Sequence, residues 1–351
     1  MRAPTRTTHD PAMTAVWDEL LRTIRRYPSP HNSQPMRVRV VGAHRADVCY
    51  DLDRGLPAEP YGIPFGSVCA GIFLELLAIA AHALGFEVVE QVNPAGMDVT
   101  SDDRLHPVAV VTLVPGGGRV EDLDPALIAA RATSRLPYAP RPVAAEALTD
   151  LAREAARFGH RAAVTADHDI VRGVARLNQR TLFDDLADDA VRHELLTWLR
   201  CSRADAARRA DGLSAECLNL PGPVLRWFFE HHRWWSRPLP GAVARRLYLR
   251  SMRGVGQIAW LTGPFTTTAD HQRAGRMFIR LWLRLTSHGV AVHPFGSIIT
   301  NPRSHAAFRR MVGEAGDGDM TWMLFRLGYS PPPPRSHRLP VSHLLLPGAV
   351  V

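Results

Sequence analysis

Two segments of this chain carry the same pattern at the same spacing, and that repeat constrains the fold more than any other feature of its 351 residues. Gly71 and Gly85 bracket one apolar stretch and Gly275 and Gly289 bracket another, with fourteen residues from glycine to glycine in each. The interiors correspond: Phe73, Leu74, Leu77 and Ile79 in the first, Met277, Phe278, Leu281 and Leu283 in the second. A helix filled this way has to be buried, and a terminal glycine supplies the left-handed cap that ends it. Each closing glycine leads into a short strand, at 87–89 and 290–293. Two such units predict a fused pair of related halves, an internal pseudo-dimer. The doublet Pro64-Phe65-Gly66-Ser67 and Pro294-Phe295-Gly296-Ser297 lies before the helix in one half and after it in the other, so it is not part of the repeat.

The remaining periodicity fills in an α+β fold. A helix is expected over 11–26, with Val16, Leu20, Leu21 and Ile24 on one face. Strands at 37–41 and 47–52 follow, then a long helix at 67–84 and strands at 86–92 and 107–114. The triplet Gly116–Gly118 precedes acidic residues and reads as a turn, not a phosphate loop. This divides the chain into a first half, 1–126, and a second, 127–351, the latter interrupted by a helical insert at 182–262. The insert opens acidic (Asp184, Asp185, Asp188, Asp189) and ends in the aromatic-basic run 227–235. That run is read first as part of a lid over a site, next as a packed connection, and last as a membrane contact. His231 and His232 are adjacent, so on a helix they point apart and make a poor metal pair.

Composition narrows the chemistry. All 42 basic side chains are arginine, so Schiff-base and lysine general-base mechanisms are excluded, and any anion must be held by arginine or backbone N–H. The net charge of +8 is interleaved with acids and lacks an aromatic-basic array, which argues against nucleic acid as the partner. Cys49, Cys69, Cys201 and Cys217 show no metal or disulfide spacing and fit a reducing, cytoplasmic setting. The first residues lack the apolar core of a secretory signal. The apolar run 68–86 carries Glu75 and His82 and reads as a core helix. No G-x-S-x-G elbow, dinucleotide glycine turn or H-E-x-x-H pair is present.

Three stretches carry polar chemistry. In Pro28-Ser29-Pro30-His31-Asn32-Ser33-Gln34-Pro35, three prolines fix the backbone and remove donors. Ser29, Asn32 and Gln34 are left to bond a planar, heteroatom-rich ligand; a plain Pro-rich turn is the alternative. In Arg131-Ala132-Thr133-Ser134-Arg135, two guanidinium forks bracket a hydroxyl and suit one phosphate, although the spacing alone also fits a solvated face. Leu327-Gly328-Tyr329 and the prolines 331–334 lead stiffly to Arg335 and Arg338, unless they form an exposed proline-rich ligand.

Together these stretches resemble the nitroreductase-like flavoproteins over roughly residues 15–345. The first is similar to that family's P-S-x-x-N-x-Q-P-W loop, with Met36 in place of Trp; the second is similar to its R-x-S-x-R phosphate motif; the third to its L-G-Y-P…P-x-x-R ending. The large size and covering insert resemble the single-chain Acg branch. The resemblance implies FMN held by Pro28, Ser29, Asn32 and Gln34 at the ring and ribityl chain. Arg131, Thr133 and Arg135 would grip the phosphate with Arg335 or Arg338, and backbone N–H groups of Gly296 and Ser297 would lie near the ring edge. No catalytic side chain is implied, because the cofactor carries the electrons. The expected activity is transfer of hydride from NAD(P)H through flavin to an electron-poor small molecule, by a monomer or homodimer. The alternative is a protein that binds and sequesters flavin without turnover.

Overall fold

In a computed structural model of the chain, the described residues are 11–56, 64–116, 121–235, 237–314 and 319–347. The first half opens with α1 (Pro11–Ile24), whose Trp17, Leu20, Leu21 and Ile24 are fully buried. The proline-locked loop then feeds β1 (Met36–Gly42), which pairs with β2 (Arg45–Asp51). The long helix α2 (Phe65–Ala83) leads to β3 (Phe86–Val92) and β4 (Leu105–Pro115). All neighbours are antiparallel, in the spatial order β1-β2-β4-β3.

The second half begins with α3 (Ala126–Ala130), α4 (Ala145–Arg157), β5 (Arg161–Thr165) and α5 (His168–Asp185). A mainly helical excursion follows: α6 (Asp189–Trp198), β6 (Leu199–Arg200), α7 (Arg203–Arg209), β7 (Leu213–Ser214), α8 (Gly222–Glu230), α9 (His232–Trp235) and α10 (Pro238–Ser251). The chain returns through β8 (Gln257–Gly263), α11 (Thr268–Ser287), β9 (Ala291–Pro294), α12 (Gly296–Thr300), α13 (Pro302–Met311), β10 (Met320–Gly328) and α14 (Val341–Leu344). The second sheet is also antiparallel throughout, in the order β5-β8-β10-β9. The two sheets thus share one plan. Two strands are followed by a long helix, an edge strand, and a last strand that inserts beside the second.

The expected insert at 182–262 needs its edges corrected. It starts inside α5, and its last residues form β8, an inner strand buried along its whole length. An insert that leaves a sheet has to rejoin it, and the alternation that would reveal such a strand is absent when both faces are covered. The division at 126/127 is also crossed: Leu345 bridges to Val38, so the end of the chain lies on the first sheet.

The repeat glycines take matching places. Gly85 and Gly289 both hold left-handed backbone, φ 79° and 67°, as a helix-ending residue requires. Gly71 and Gly275 are where α2 and α11 meet: a Cβ on Gly71 would lie 2.0 Å from the carbonyl oxygen of Gln272, and one on Gly275 would lie 2.0 Å from that of Val68. Helix backbones approach that closely only where the side chain is missing. One core therefore runs through both halves, including Leu20, Phe73, Ile79, Met277, Trp282 and Phe325. It explains why α2, long and apolar enough to cross a membrane, has 78% of that stretch buried inside the protein.

Beside this seam, Arg280 is 2% exposed and surrounded by acids from both halves. Its Nε donates to Glu154 at 2.9 Å, Nη1 to Glu75 at 3.0 Å, and Nη2 to Glu121 at 3.0 Å and Asp122 at 2.5 Å. Burial opposes its charge, but the hydrogen bonds and charges of Glu121 and Glu75 outweigh that and raise its pKa.

Candidate anion and cofactor site

The loop before β1 is bent by three non-glycine residues with left-handed backbone: His31 (φ 49°), Asn32 (φ 55°) and Gln34 (φ 54°). Each such residue costs on the order of 1–2 kcal/mol, so the surroundings must hold it there. They do so with hydrogen bonds. Ser29 Oγ accepts from Gln34 N at 2.9 Å, and Met36 N donates to the buried Tyr27 hydroxyl at 2.9 Å. Asn32 Nδ2 donates to the carbonyls of Gly212 (3.0 Å) and His337 (3.2 Å). Gln34 Nε2 donates to Ala210 O at 3.0 Å, and its Oε1 accepts from Leu339 N at 2.9 Å. Met36, standing where the resembled family has Trp, is fully buried.

An open cavity of about 100 Å³ forms where this loop meets the arginine stretch and the proline-rich tail. That is room for a phosphate-sized group, with the cavity open to solvent beyond it. Pro28, Ser29, His31 and Asn32 line one side, Arg131, Ala132, Thr133 and Arg135 another, and Pro334, Arg335, Ser336 and Arg338 a third. Arg26 and Leu213 complete it. The three stretches singled out in the sequence therefore converge, although 206 residues separate Ala129 from Arg335, which donates to its carbonyl at 2.7 Å.

Among the described residues, five arginines line the cavity and no carboxylate does. Arg131 is 6% exposed, lies 4.5 Å over the Trp282 ring and donates to Arg26 O at 3.1 Å. Burial, then repulsion from Arg338, Arg335 and Arg26, pulls its pKa down to about 9. Burial likewise brings Arg338 to about 10 and lowers Arg135. His31 is pulled down to about 4 by burial and by Arg135, so it is neutral at pH 7. Among the described residues, His31 Nδ1, Asn32 Oδ1 and Arg338 Nε are buried polar atoms without a hydrogen-bond partner. Like charges packed with no carboxylate among the described lining residues, beside unmet donors and acceptors, suit an anion that carries further polar groups.

Not every expected residue faces the cavity. Gln34 is 1% exposed, lies outside the lining, and spends both ends of its amide on backbone partners. Gly296 and Ser297 open the five-residue α12, which packs on β10 and α5, also outside the lining.

Some participants were not singled out from the sequence. Arg26 and His31 line the cavity; the first lies just beyond the end of α1 and the second between Ser29 and Asn32. Arg326 on β10 is fully buried. It lies 4.4 Å over the Tyr138 ring and donates through Nη2 to the carbonyls of Ser134 and Leu136, both at 3.2 Å. It thereby fixes the backbone that presents Arg131 and Arg135. Its neighbours in sequence are strand residues, and nothing in the pattern marks it.

The helical excursion reaches the site through β7 and its flanks. Gly212 N donates to Asn32 O at 3.1 Å, and Arg135 Nη1 donates to Cys217 O at 3.4 Å. Asp211 pairs with Arg54 at 2.5 Å and Arg200 at 2.6 Å, anchoring this stretch to the first half.

No protein-family model and no curated protein matches the chain. Among solved structures it is similar to the FMN-dependent nitroreductase NfnB from Mycobacterium smegmatis in complex with NADPH: 19% identity, 58% of this chain and 86% of that one, TM-score 0.36. It is also similar to a nitroreductase with bound FMN from Bacteroides fragilis, at 13% identity, 59% and 87% coverage and a TM-score of 0.32. A nitroreductase-like family protein from Bacillus cereus matches at 13% identity, 65% and 96% coverage and a TM-score of 0.32. Scores of this size carry neither fold nor function, which rest here on the strand order and the arginine cavity.

Proposed function

We propose that the cavity binds the phosphate end of FMN and that the chain is an internally duplicated, nitroreductase-like oxidoreductase of the Acg type. The observation that carries this is the set Arg26, Arg131, Arg135, Arg335 and Arg338, which lines one cavity with no carboxylate among them. Guanidinium groups suit a phosphate dianion at any working pH. Arg131, Arg135 and Thr133 hold the phosphate in this reading, with Arg335 and Arg338 closing on it from the tail. Asn32 Oδ1 and neutral His31 meet the polar groups of the ribityl chain or ring. Gln34 acts at one remove, by holding the strained loop. When bound, FMN supplies the redox chemistry, taking hydride from NAD(P)H and passing electrons to an electron-poor acceptor.

A second reading has its own observation. Residues 210–217 of the insert bond directly to the loop and to Arg135, which favours a covered site that sequesters flavin without turnover. Titration of the apoprotein with FMN and with riboflavin tests the cavity assignment. FMN should bind about a hundredfold or more tighter, because only it carries the phosphate. Equal affinities would remove the arginines from the site's function.

A further inference from the structure

We propose that the insert docks on an anionic lipid surface through α8–α10, a role independent of what the arginine cavity holds. The apolar stripe of α10 faces out. Leu239, Val243 and Leu247 recur at four-residue spacing, share one helix face, and are 82%, 58% and 61% exposed. The opposite face packs inward through Gly241 and Ala244. Large aliphatic side chains this exposed and contiguous on one helix face form the kind of apolar patch that marks an interaction site.

The flanking charge decides which partner fits. Arg246 and Arg250 fall on the same face, at three- and seven-residue spacing from Val243, and both are exposed. Neither forms an ion pair among the described residues. Between 222 and 251 the chain carries arginine at 226, 233, 237, 245, 246 and 250, and a single acid, Glu230. In the two preceding helices, Trp227 and Trp234 are each 40% exposed, with ring centres 5.4 Å apart. Trp227 stands in α8 and Trp234 in α9, the helix that packs on α10. Exposed leucine and valine for the acyl boundary, tryptophan for the headgroup level and arginine for anionic headgroups are the residue types of helices lying in a bilayer interface. A protein partner that read the apolar stripe alone would not require the one-signed charge. A nucleic acid would not require the stripe.

The test uses the full chain and vesicles of phosphatidylcholine with and without phosphatidylglycerol. Co-sedimentation should occur with the anionic vesicles and fall by about tenfold or more in the exposed-site variant Leu239→Asp/Val243→Asp/Leu247→Asp. Arg246→Gln/Arg250→Gln should weaken it severalfold and reduce its salt dependence. Unchanged circular dichroism would show that both variants fold. Any of these results would overturn the proposal: no sedimentation with anionic vesicles; sedimentation unaffected by the aspartates; or binding to DNA that competes fully and ignores the aspartate changes. Concentration-dependent dimerisation that the aspartates abolish, without lipid binding, would assign the stripe to a second copy and equally refute it.

Discussion

Asn32 and Gly212 are bonded in both directions: the Asn32 side chain donates to the Gly212 carbonyl at 3.0 Å, and the Gly212 N–H donates to the Asn32 carbonyl at 3.1 Å. The pair ties a left-handed loop residue of the first half to the insert of the second, at the rim of the arginine cavity. Asn32→Ala should therefore lower stability by about 1–2 kcal/mol and weaken FMN retention together. Asn32→Asp loses the donor but keeps an acceptor, and places a negative charge among the arginines. Its carboxylate would face the Gly212 and His337 carbonyls, so it should not regain apoprotein stability, and FMN binding should worsen further. Chemical denaturation with flavin titration checks both effects.

The arginines are predicted to oppose stability and favour binding. Arg338 is held with its pKa down to about 10 by burial, and its Nε has no partner. Arg338→Met should leave the apoprotein unchanged or more stable, within about 1 kcal/mol, and weaken FMN binding by about tenfold. Arg131→Met should weaken it by about tenfold to a hundredfold. A purely structural arginine would show the reverse, losing stability with no effect on flavin.

The pH dependence of stability is expected to carry a term from Asp185. Burial, with Asp184 and Asp188 adding repulsion, raises its pKa from 3.8 to about 6 against the opposing hydrogen bond from Asn301. A raised carboxyl pKa means that the native state binds the proton more tightly. Its contribution is present below about pH 4 and is lost as pH rises through about 6. Asp185→Asn keeps an acceptor for Asn301 and removes the charge. It should stabilise the protein by about 1–2 kcal/mol at pH 8 and have little effect at pH 4. Thermal unfolding at the two pH values tests the sign.

The α2–α11 seam predicts a matched pair of defects. Gly71→Ala and Gly275→Ala each drive a methyl group into a facing backbone carbonyl, so each should destabilise by about 3 kcal/mol or more. The double variant should cost less than their sum, because one separation of the helices relieves both clashes. Gly85→Ala meets no neighbouring atom and should cost only about 1 kcal/mol, from its positive φ.

Much of this was legible because it was local. The glycine spacing announced two helices and their caps, and the loop, the R-x-T-x-R stretch and the proline tail named residues that meet in space. What stayed hidden depended on tertiary context. Gln34 has the chemistry of a ligand-binding amide, but the loop's left-handed turns direct both its ends to backbone. β8 is buried on both faces, so it shows no alternation and reads in the sequence as part of the insert. Arg326 and Arg280 look like ordinary surface cations until the fold surrounds one with carbonyls and an aromatic face and the other with carboxylates. Burial of a charge is set by its partners, and sequence spacing does not reveal partners this far apart.

The most direct test of the central claim is an anaerobic visible spectrum of the purified, FMN-reconstituted protein, recorded before and after NADPH and then NADH. The account predicts a flavin band that persists through gel filtration and bleaches on addition of a reduced nicotinamide. A retained band that neither donor bleaches would leave a flavin store and contradict the reductase. No retained band after reconstitution would contradict the cofactor itself.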